Sequence, residues 1–260
     1  MDNRIPIPRV QGRAWLQGTL LVAAALAVQP MAVTAQTVTL PTPVDQPGTI
    51  RWWEGALVLG GITGLMLLDG PTQRFAQDNR SRSGNDLASG LRHFGQPEVY
   101  VTATLGLIGT GLISGNDGIT RAGARLATTL AVAGAASNVG KWAFGRPRPD
   151  ESHDADGYVP FSGQQAMPSG HTTMAFALAT ALSDDIHRTW ASVGLYTAAT
   201  GVAWSRVNDN RHWLTDVAAG AVLGITSAKL VSGRWRIFNL RTPQFLIGPG
   251  QATVAWNLTF

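Results

Sequence analysis

Residues 167–185 have the sequence MPSGHTTMAFALATALSDD, in which a short polar turn leads directly into an apolar stretch. Ser169 is a residue type that commonly caps helix N-termini, and Gly170 lets a ligand come close to the backbone. The free amides and the positive end of the following helix would attract an anion, and His171 would lie beside it. The segment therefore predicts a helix that begins at an anion site, although an ordinary capped helix has the same pattern.

Five further stretches rich in Ala, Gly, Leu and Thr indicate an all-α protein. The expected bundle has about six helices, at roughly 53–68, 98–115, 120–141, 170–184, 189–205 and 213–232. The small-residue spacings Gly60/Gly64 and Gly220/Gly224 would let helices approach closely. Apolar runs on either side of Gly248-Pro249-Gly250 predict two short strands, and hence a β-like C-terminal tail.

The ends of the chain differ from the bundle in composition. Residues 1–35 combine three arginines, a short apolar run and small residues before Gln36, which are the features of a secretory signal peptide or of an uncleaved N-terminal anchor. Residues 36–52 are polar and contain prolines, which predicts a linker before the helical domain at 53–232. Residues 233–260 form a C-terminal extension, predicted as a β-hairpin. We therefore expect an exported protein of the cell envelope, either periplasmic or membrane-associated.

Hydropathy leaves the relation of the bundle to a membrane open. A membrane-crossing helix needs about 20 mostly apolar residues, and the stretch after His171 ends early at Asp184. The mean hydropathy of +0.06 is also low for six crossings. These observations favour a soluble or peripherally attached bundle slightly, although moderately apolar helices do insert when they pack together.

Charge and cysteine content exclude several classes of function. The formal net charge is +4, about half of it in the N-terminal segment, and no dense basic stripe is present, which argues against nucleic-acid binding. The chain has no cysteine, which rules out disulfides, cysteine-ligated metal centres and a cysteine nucleophile.

A cluster of cations lies at the end of the third predicted helix, where the sequence from 141 to 149 is KWAFGRPRP. Lys141, Arg146 and Arg148 fall within eight residues, and two prolines stiffen the exit of the chain. Arginine can grip two phosphate oxygens at once and lysine adds a compact charge, so the cluster suits a phosphate. A basic helix C-terminus, favoured by the helix dipole, would have the same composition.

A third cluster precedes the sixth predicted helix. His212 and Asp216 are four residues apart, which on a helix places both on one face, so that Asp216 can orient the imidazole. An oriented imidazole can act as a base or a nucleophile, and Arg206 adds a cation nearby. A surface His–Asp pair is the plain alternative for this cluster alone. Together, the three clusters supply the groups that phosphoryl transfer requires.

The ordered set of clusters resembles the three signature motifs of the type 2 phosphatidic acid phosphatase and vanadium haloperoxidase superfamily. The matching residues are Lys141 with Arg148-Pro149, then Pro168-Ser169-Gly170-His171, then Ser205-Arg206 with His212 and Asp216. The resemblance covers roughly residues 98–232 and departs from the family pattern at no defining position. It implies a phosphatase domain with the three motifs gathered at one end of the helical bundle.

The resemblance also implies a role for each site residue. His212 would attack phosphorus and form a phosphohistidine, Asp216 would orient His212, and His171 would protonate the leaving oxygen. The phosphate oxygens would be held by Lys141, Arg148, Ser169, Gly170 and Arg206. No metal or other cofactor is expected, and vanadate should inhibit as a mimic of the transition state. The substrate would be a phosphate monoester or diphosphate, either of a lipid or of a small organic molecule.

Other functions remain compatible with these residues. A vanadium-dependent haloperoxidase would use the same site, with His212 as the ligand of vanadate. A non-catalytic envelope protein could carry the fold, but the intact set of motif residues argues against this. A phosphotransferase would pass the phosphate from His212 to an alcohol instead of water.

Overall fold

The computed structural model describes residues 48–237, 244–248 and 251–255, so the predicted signal peptide and most of the predicted linker lie outside the described residues. The helices are α1 Trp52–Met66, α2 Asp69–Asp78, α3 Arg82–Arg92, α4 Pro97–Ser114, α5 Asp117–Phe144, α6 Gly170–Ile186, α7 Thr189–Asn208 and α8 Leu214–Val231. The strands are β1 Gly48–Ile50, β2 Trp235–Ile237, β3 Gln244–Gly248 and β4 Gln251–Ala255. The prediction of an all-α protein is confirmed.

All six predicted stretches form helices, but the described part of the chain contains two more, α2 and α3. Both lie in the polar segment between the first two predicted helices, where no apolar run marks them. Helix α2 has Pro71 in its first turn, where the missing N–H removes no helical hydrogen bond. Helix α3 is capped by Ser81, whose hydroxyl accepts from the Gly84 N–H at 3.0 Å.

The strands form two small pairs. β1, at the end of the predicted linker, pairs in parallel with β2, with Gly48 opposite Trp235. β3 and β4 pair antiparallel, with Gln244 opposite Ala255. This second pair is the β-like tail that the sequence predicts.

Helix α6 is the centre of the bundle and packs against α5, α7 and α8. The approach of α6 to α8 depends on Gly220 and Gly224, as their spacing predicts. A Cβ at Gly224 would lie 2.4 Å from the carbonyl oxygen of Thr173, and one at Gly220 would lie 2.7 Å from that of Ser169. The Gly60/Gly64 pair behaves differently, because a Cβ at either position would meet nothing within 4 Å in the described part of the chain.

The directions of these helices bring the three clusters together. α5 and α7 end where α6 and α8 begin, so the first cluster follows α5, the second opens α6 and the third joins α7 to α8. Hydrogen bonds join the clusters to one another. The Ser169 N–H donates to the Asp216 carbonyl at 2.9 Å, and the Trp213 Nε1–H donates to the Pro147 carbonyl at 3.0 Å.

The outer faces of several helices expose large apolar side chains. Helix α1 buries no residue, and Leu67 and Ile113 are 83% and 91% exposed. Among the described helices, α8 is long and apolar enough to cross a membrane, and α1 with α2 meets the same criterion only as a pair bent by 51°. Because α8 also packs against α6, the core helix of a bundle would have the same composition.

We expect the Gly224→Ala variant to lower the melting temperature, because the new methyl group would push α8 away from the Thr173 carbonyl. Overpacking of this kind costs about 1–3 kcal/mol, which corresponds to roughly 2–10 °C for a domain of this size. Circular dichroism during heating measures the change. The matched control is Gly61→Ala, which meets no neighbour. An equal effect of both variants would contradict the close packing of α6 and α8.

Candidate active site

The N-terminus of α6 forms the floor of the candidate site. Ser169 is the N-cap residue and is fully buried, but its hydroxyl makes no capping bond and instead accepts from the Thr172 hydroxyl at 3.0 Å. The first-turn amides of a helix have no intrahelical acceptors. Those that follow Ser169 therefore remain suited to an anion, which also favours the positive end of the helix dipole.

Lys141, in the last turn of α5, lies beside this helix terminus. A Cβ at Gly170 would be 3.7 Å from its Cε atom. Its ammonium group donates to the carbonyl oxygens of Gln165 at 2.6 Å and Pro168 at 2.9 Å, which fixes its position. Burial and the charge of Arg148 lower the pKa of Lys141 to about 8, against the opposing effect of Asp216. The third ammonium proton can still serve an anion.

Arg206, in the last turn of α7, is a second cation with a free donor. Its side chain is buried, and Nη1 donates to the Asp209 carboxylate at 3.2 Å. Its Nε is buried and has no hydrogen-bond partner among the described residues. Burial lowers the pKa of Arg206, and so do the charges of Arg92 and Arg148, although Asp209 opposes them. Arg148 acts on both Lys141 and Arg206, so the three cations share one region.

His212 and Asp216 are paired, but not in the way that their spacing predicts. His212 lies two residues before α8 begins, so the two residues do not share a helix face. Asp216 instead turns back over the helix N-terminus, where Oδ2 accepts from the Trp213 N–H at 2.9 Å and lies 3.4 Å from His212 Nδ1. This distance is long for a hydrogen bond, but Nδ1 is the ring nitrogen that faces the carboxylate. Nε2 is left as the reactive atom.

Burial lowers the pKa of the His212 imidazole, and Lys141 and Arg206 lower it further, while Asp216 opposes them. The imidazole is therefore neutral near pH 7, which is the form that can attack phosphorus.

His171, in the first turn of α6, is held close to the same groups. Burial lowers its pKa to about 4, and the charges of Arg206, His212, Lys141 and Arg92 add to this effect. None of these four groups is a carboxylate, so a bound phosphate would supply the negative charge that they lack. An anion there would raise the pKa of His171 and favour the protonated ring.

The structure brings all eight predicted site residues to one end of the bundle, but it separates Arg146 from them. Arg146 is fully buried and bonds to Asp69, Thr215 and Asp216, so its guanidinium is not free for a phosphate. Arg146 was not among the residues that the sequence assigns to the phosphate, and its occupied donors give it a structural place instead. Asp69 carries no local sequence signal, because its partner Arg146 is distant along the chain.

Exposed aromatic side chains flank the first cluster. Trp142 and Phe161 pack with ring centroids 4.3 Å apart, and both are more than 60% exposed. Phe144 and Val159 are also exposed. These four residues, which we call the apolar lip, place an apolar surface next to the cationic end of the bundle.

Residues 122–238 match the family model described as the PAP2 superfamily. The chain is similar to curated lipid A 1-phosphatases. It is 41% identical over 108 residues to that of Porphyromonas gingivalis, across 41% of this chain and 22% of the relative. It is 38% identical over 109 residues to that of Rhizobium etli, across 39% of this chain and 45% of the relative. The chain thus spans less than half the length of these relatives.

Two solved structures share the fold. Aquifex aeolicus LpxE superposes with a TM-score of 0.50 at 20% identity, over 64% of this chain and 94% of that one. A transmembrane PAP2-type phosphatidylglycerolphosphate phosphatase from Bacillus subtilis gives 0.55 at 21% identity, over 69% and 92%. At these identities the likeness concerns the fold alone.

We expect the Arg206→Gln variant to bind orthophosphate more weakly, because it loses a buried donor and a positive charge. Hydrogen bonds to charged groups contribute about 1.5–3 kcal/mol, so the Kd should rise roughly 10- to 100-fold. Isothermal titration calorimetry measures this directly. The control is Arg125→Gln, which loses an ion pair with Asp185 near the other end of α5. Unchanged binding in Arg206→Gln would remove Arg206 from the phosphate site.

Proposed function

We propose that the chain, which matches the PAP2 superfamily over residues 122–238, is a phosphatase that removes phosphate from a phosphorylated lipid without a metal ion. The observation that carries the proposal is the meeting of two neutral histidines with three cations at one helix N-terminus. The similarity to lipid A 1-phosphatases makes a lipid A 1-phosphate the first substrate to test.

In the proposed first step, His212 Nε2 attacks phosphorus and a phosphorus–nitrogen bond forms as the bond to the lipid oxygen breaks. Asp216 faces Nδ1 and stabilises the positive charge that develops on the ring. His171 gives its proton to the departing oxygen. Lys141, Arg148, Arg206 and the amides after Ser169 hold the other phosphate oxygens, where a metal ion would otherwise be needed.

In the second step, water attacks the phosphohistidine and His171 takes a proton from the water as the phosphorus–nitrogen bond breaks. Orthophosphate and neutral His212 result. Vanadate, which adopts five-coordinate geometry readily, should bind the same groups and inhibit.

A lipid substrate fits the surface as well as the site. The apolar lip would contact the apolar part of a lipid while its phosphate enters between the cations. Large apolar side chains on α1 and α4, such as Leu57, Leu105 and Ile113, are exposed, which supports association with a membrane. Association with a membrane agrees with the expectation of an exported protein of the cell envelope.

The primary test measures phosphate release from lipid A 1-phosphate, from phosphatidate and from p-nitrophenyl phosphate, with EDTA present. We expect release in EDTA, inhibition by vanadate, and a preference for the lipids, because only these can use the apolar lip. Loss of activity in EDTA would refute the metal-free mechanism, and a preference for the soluble substrate would refute the lipid assignment.

His212→Ala is the control for this test. It should release no phosphate while orthophosphate still binds, because the cations that hold the oxygens remain. Full activity in this variant would refute the phosphohistidine step. Halide oxidation by the vanadate-loaded wild type in peroxide would indicate a haloperoxidase instead.

The role of His171 as proton donor predicts a dependence on the leaving group. His171→Asn should lower kcat for a lipid phosphate about 10²- to 10⁴-fold, but far less for p-nitrophenyl phosphate, whose phenolate leaves without a proton. Because the pKa of His171 is lowered to about 4, the protonated fraction grows as pH falls. The wild-type kcat/KM for the lipid should therefore rise from pH 8 towards pH 5. Equal losses on both substrates would contradict the role.

A further inference from the structure

Arg146 contacts Asp216, the carboxylate that faces the candidate nucleophile, and every side-chain donor of Arg146 is occupied. Its Nε donates to the Ala155 carbonyl at 2.9 Å, and Nη2 donates to the same oxygen and to Asp69 Oδ2, both at 2.5 Å. Its Nη1 donates to the Thr215 hydroxyl at 2.7 Å and to Asp216 Oδ1 at 2.8 Å. These are all five N–H groups that a guanidinium possesses.

Asp69 completes this arrangement from α2. Its Oδ1 accepts from the Thr215 N–H at 2.8 Å, and its Oδ2 accepts from the Thr215 hydroxyl and from Arg146, both at 2.5 Å. Asp69, Arg146 and Asp216 have no solvent exposure. Asp69 also lies outside residues 122–238, which match the family model.

The two carboxylate oxygens of Asp216 have different partners. Arg146 holds Oδ1, which leaves Oδ2 turned towards His212 Nδ1. Without the guanidinium, Oδ1 would lose this charged donor and the carboxylate could rotate. The direction in which Asp216 presents charge to the imidazole thus depends on Arg146.

The charges matter as well as the geometry. Two carboxylates surround one guanidinium, so the buried cluster carries a net negative charge while His212 is neutral. This charge becomes balanced when His212 turns cationic. Without the Asp69 charge, Arg146 would neutralise Asp216 alone, and a cationic imidazole would find little net negative charge nearby.

We propose that Asp69 and Arg146 are positioning residues for the nucleophile, which aim Asp216 at His212 and keep the cluster negative enough to stabilise a cationic imidazole. The inference rests on the proposed function, because it assigns the pair to the step in which His212 gains positive charge. It makes α2 part of the reacting assembly, although α2 contributes no group that touches the substrate.

A purely structural salt bridge is the competing explanation, and Asp69→Asn separates the two. The amide keeps the size of the side chain and an oxygen for the Thr215 N–H, but removes the charge. The matched control is Asp184→Asn in α6, which removes a carboxylate that binds Lys229 at 2.7 Å, near the end of the bundle away from the site. Both variants should lose thermal stability.

Only Asp69→Asn should lose kcat, by roughly 10- to 100-fold on p-nitrophenyl phosphate, while its inhibition constant for orthophosphate stays within about two-fold of wild type. A kcat within two-fold of wild type in a folded Asp69→Asn protein would overturn the proposal. Parallel losses of kcat and orthophosphate affinity would also overturn it, because they indicate general disruption.

The titration of His212 gives a readout that does not need turnover. The groups that face His212 are Asp216 of α8, Lys141 of α5, His171 of α6 and Arg206 of α7. None of them changes in Asp69→Asn, so a lower pKa of His212 in its nuclear magnetic resonance titration would report the missing Asp69 charge. An unchanged pKa would count against the electrostatic role.

A further variant covers the case in which Asp69→Asn does not fold. Thr215→Val keeps both charges but removes the hydroxyl that joins Asp69 to Arg146, and should lower kcat about three- to ten-fold with orthophosphate inhibition unchanged. Unaltered kcat there would overturn the proposal. If the wild type hydrolyses no phosphate ester, the proposed function fails, and the His212 titration still decides whether Asp69 acts on the imidazole.

Discussion

The candidate site depends on the hydrogen bonds of the buried Arg146 guanidinium. It joins α2 through Asp69, the α5–α6 connection through the Ala155 carbonyl, and the start of α8 through Thr215 and Asp216. The rings of Tyr158 and Trp213 lie 5.0 and 5.3 Å from it. A buried charge is tolerated only when it is paired and fully hydrogen-bonded, and removing one partner of such a group costs about 3–5 kcal/mol. These segments are therefore held in one arrangement.

Arg146 and Arg206 differ in the state of their donors. Arg146 has none to spare, so it serves the architecture of the site, whereas Arg206 keeps a buried Nε without a partner among the described residues. A buried, unpaired donor is unfavourable unless a ligand completes it. Its place beside Lys141 and the N-terminus of α6 explains why an anion is the ligand that fits.

The sequence predicted the parts of this structure that depend on local patterns. Apolar runs located six helices, and the Gly220/Gly224 spacing predicted the close contact of α6 with α8. Helices α2 and α3 were missed because their residues are polar and they form against neighbours. Arg146 was left without a role, because sequence shows a charge but not whether its donors are occupied. Asp69 could not be found, since only folding brings it to Arg146.

The crowding of positive charge at the site connects phosphate binding to protonation. Burial and four neighbouring groups lower the pKa of His171. Burial and neighbouring cations also lower the pKa values of Lys141 and His212, although Asp216 opposes them. Each of these groups is therefore less basic than it would be in water. A phosphate placed among them would offset part of the positive charge and make His171 easier to protonate. In the proposed reaction, the substrate whose leaving group needs a proton would thus itself favour the protonated form of His171.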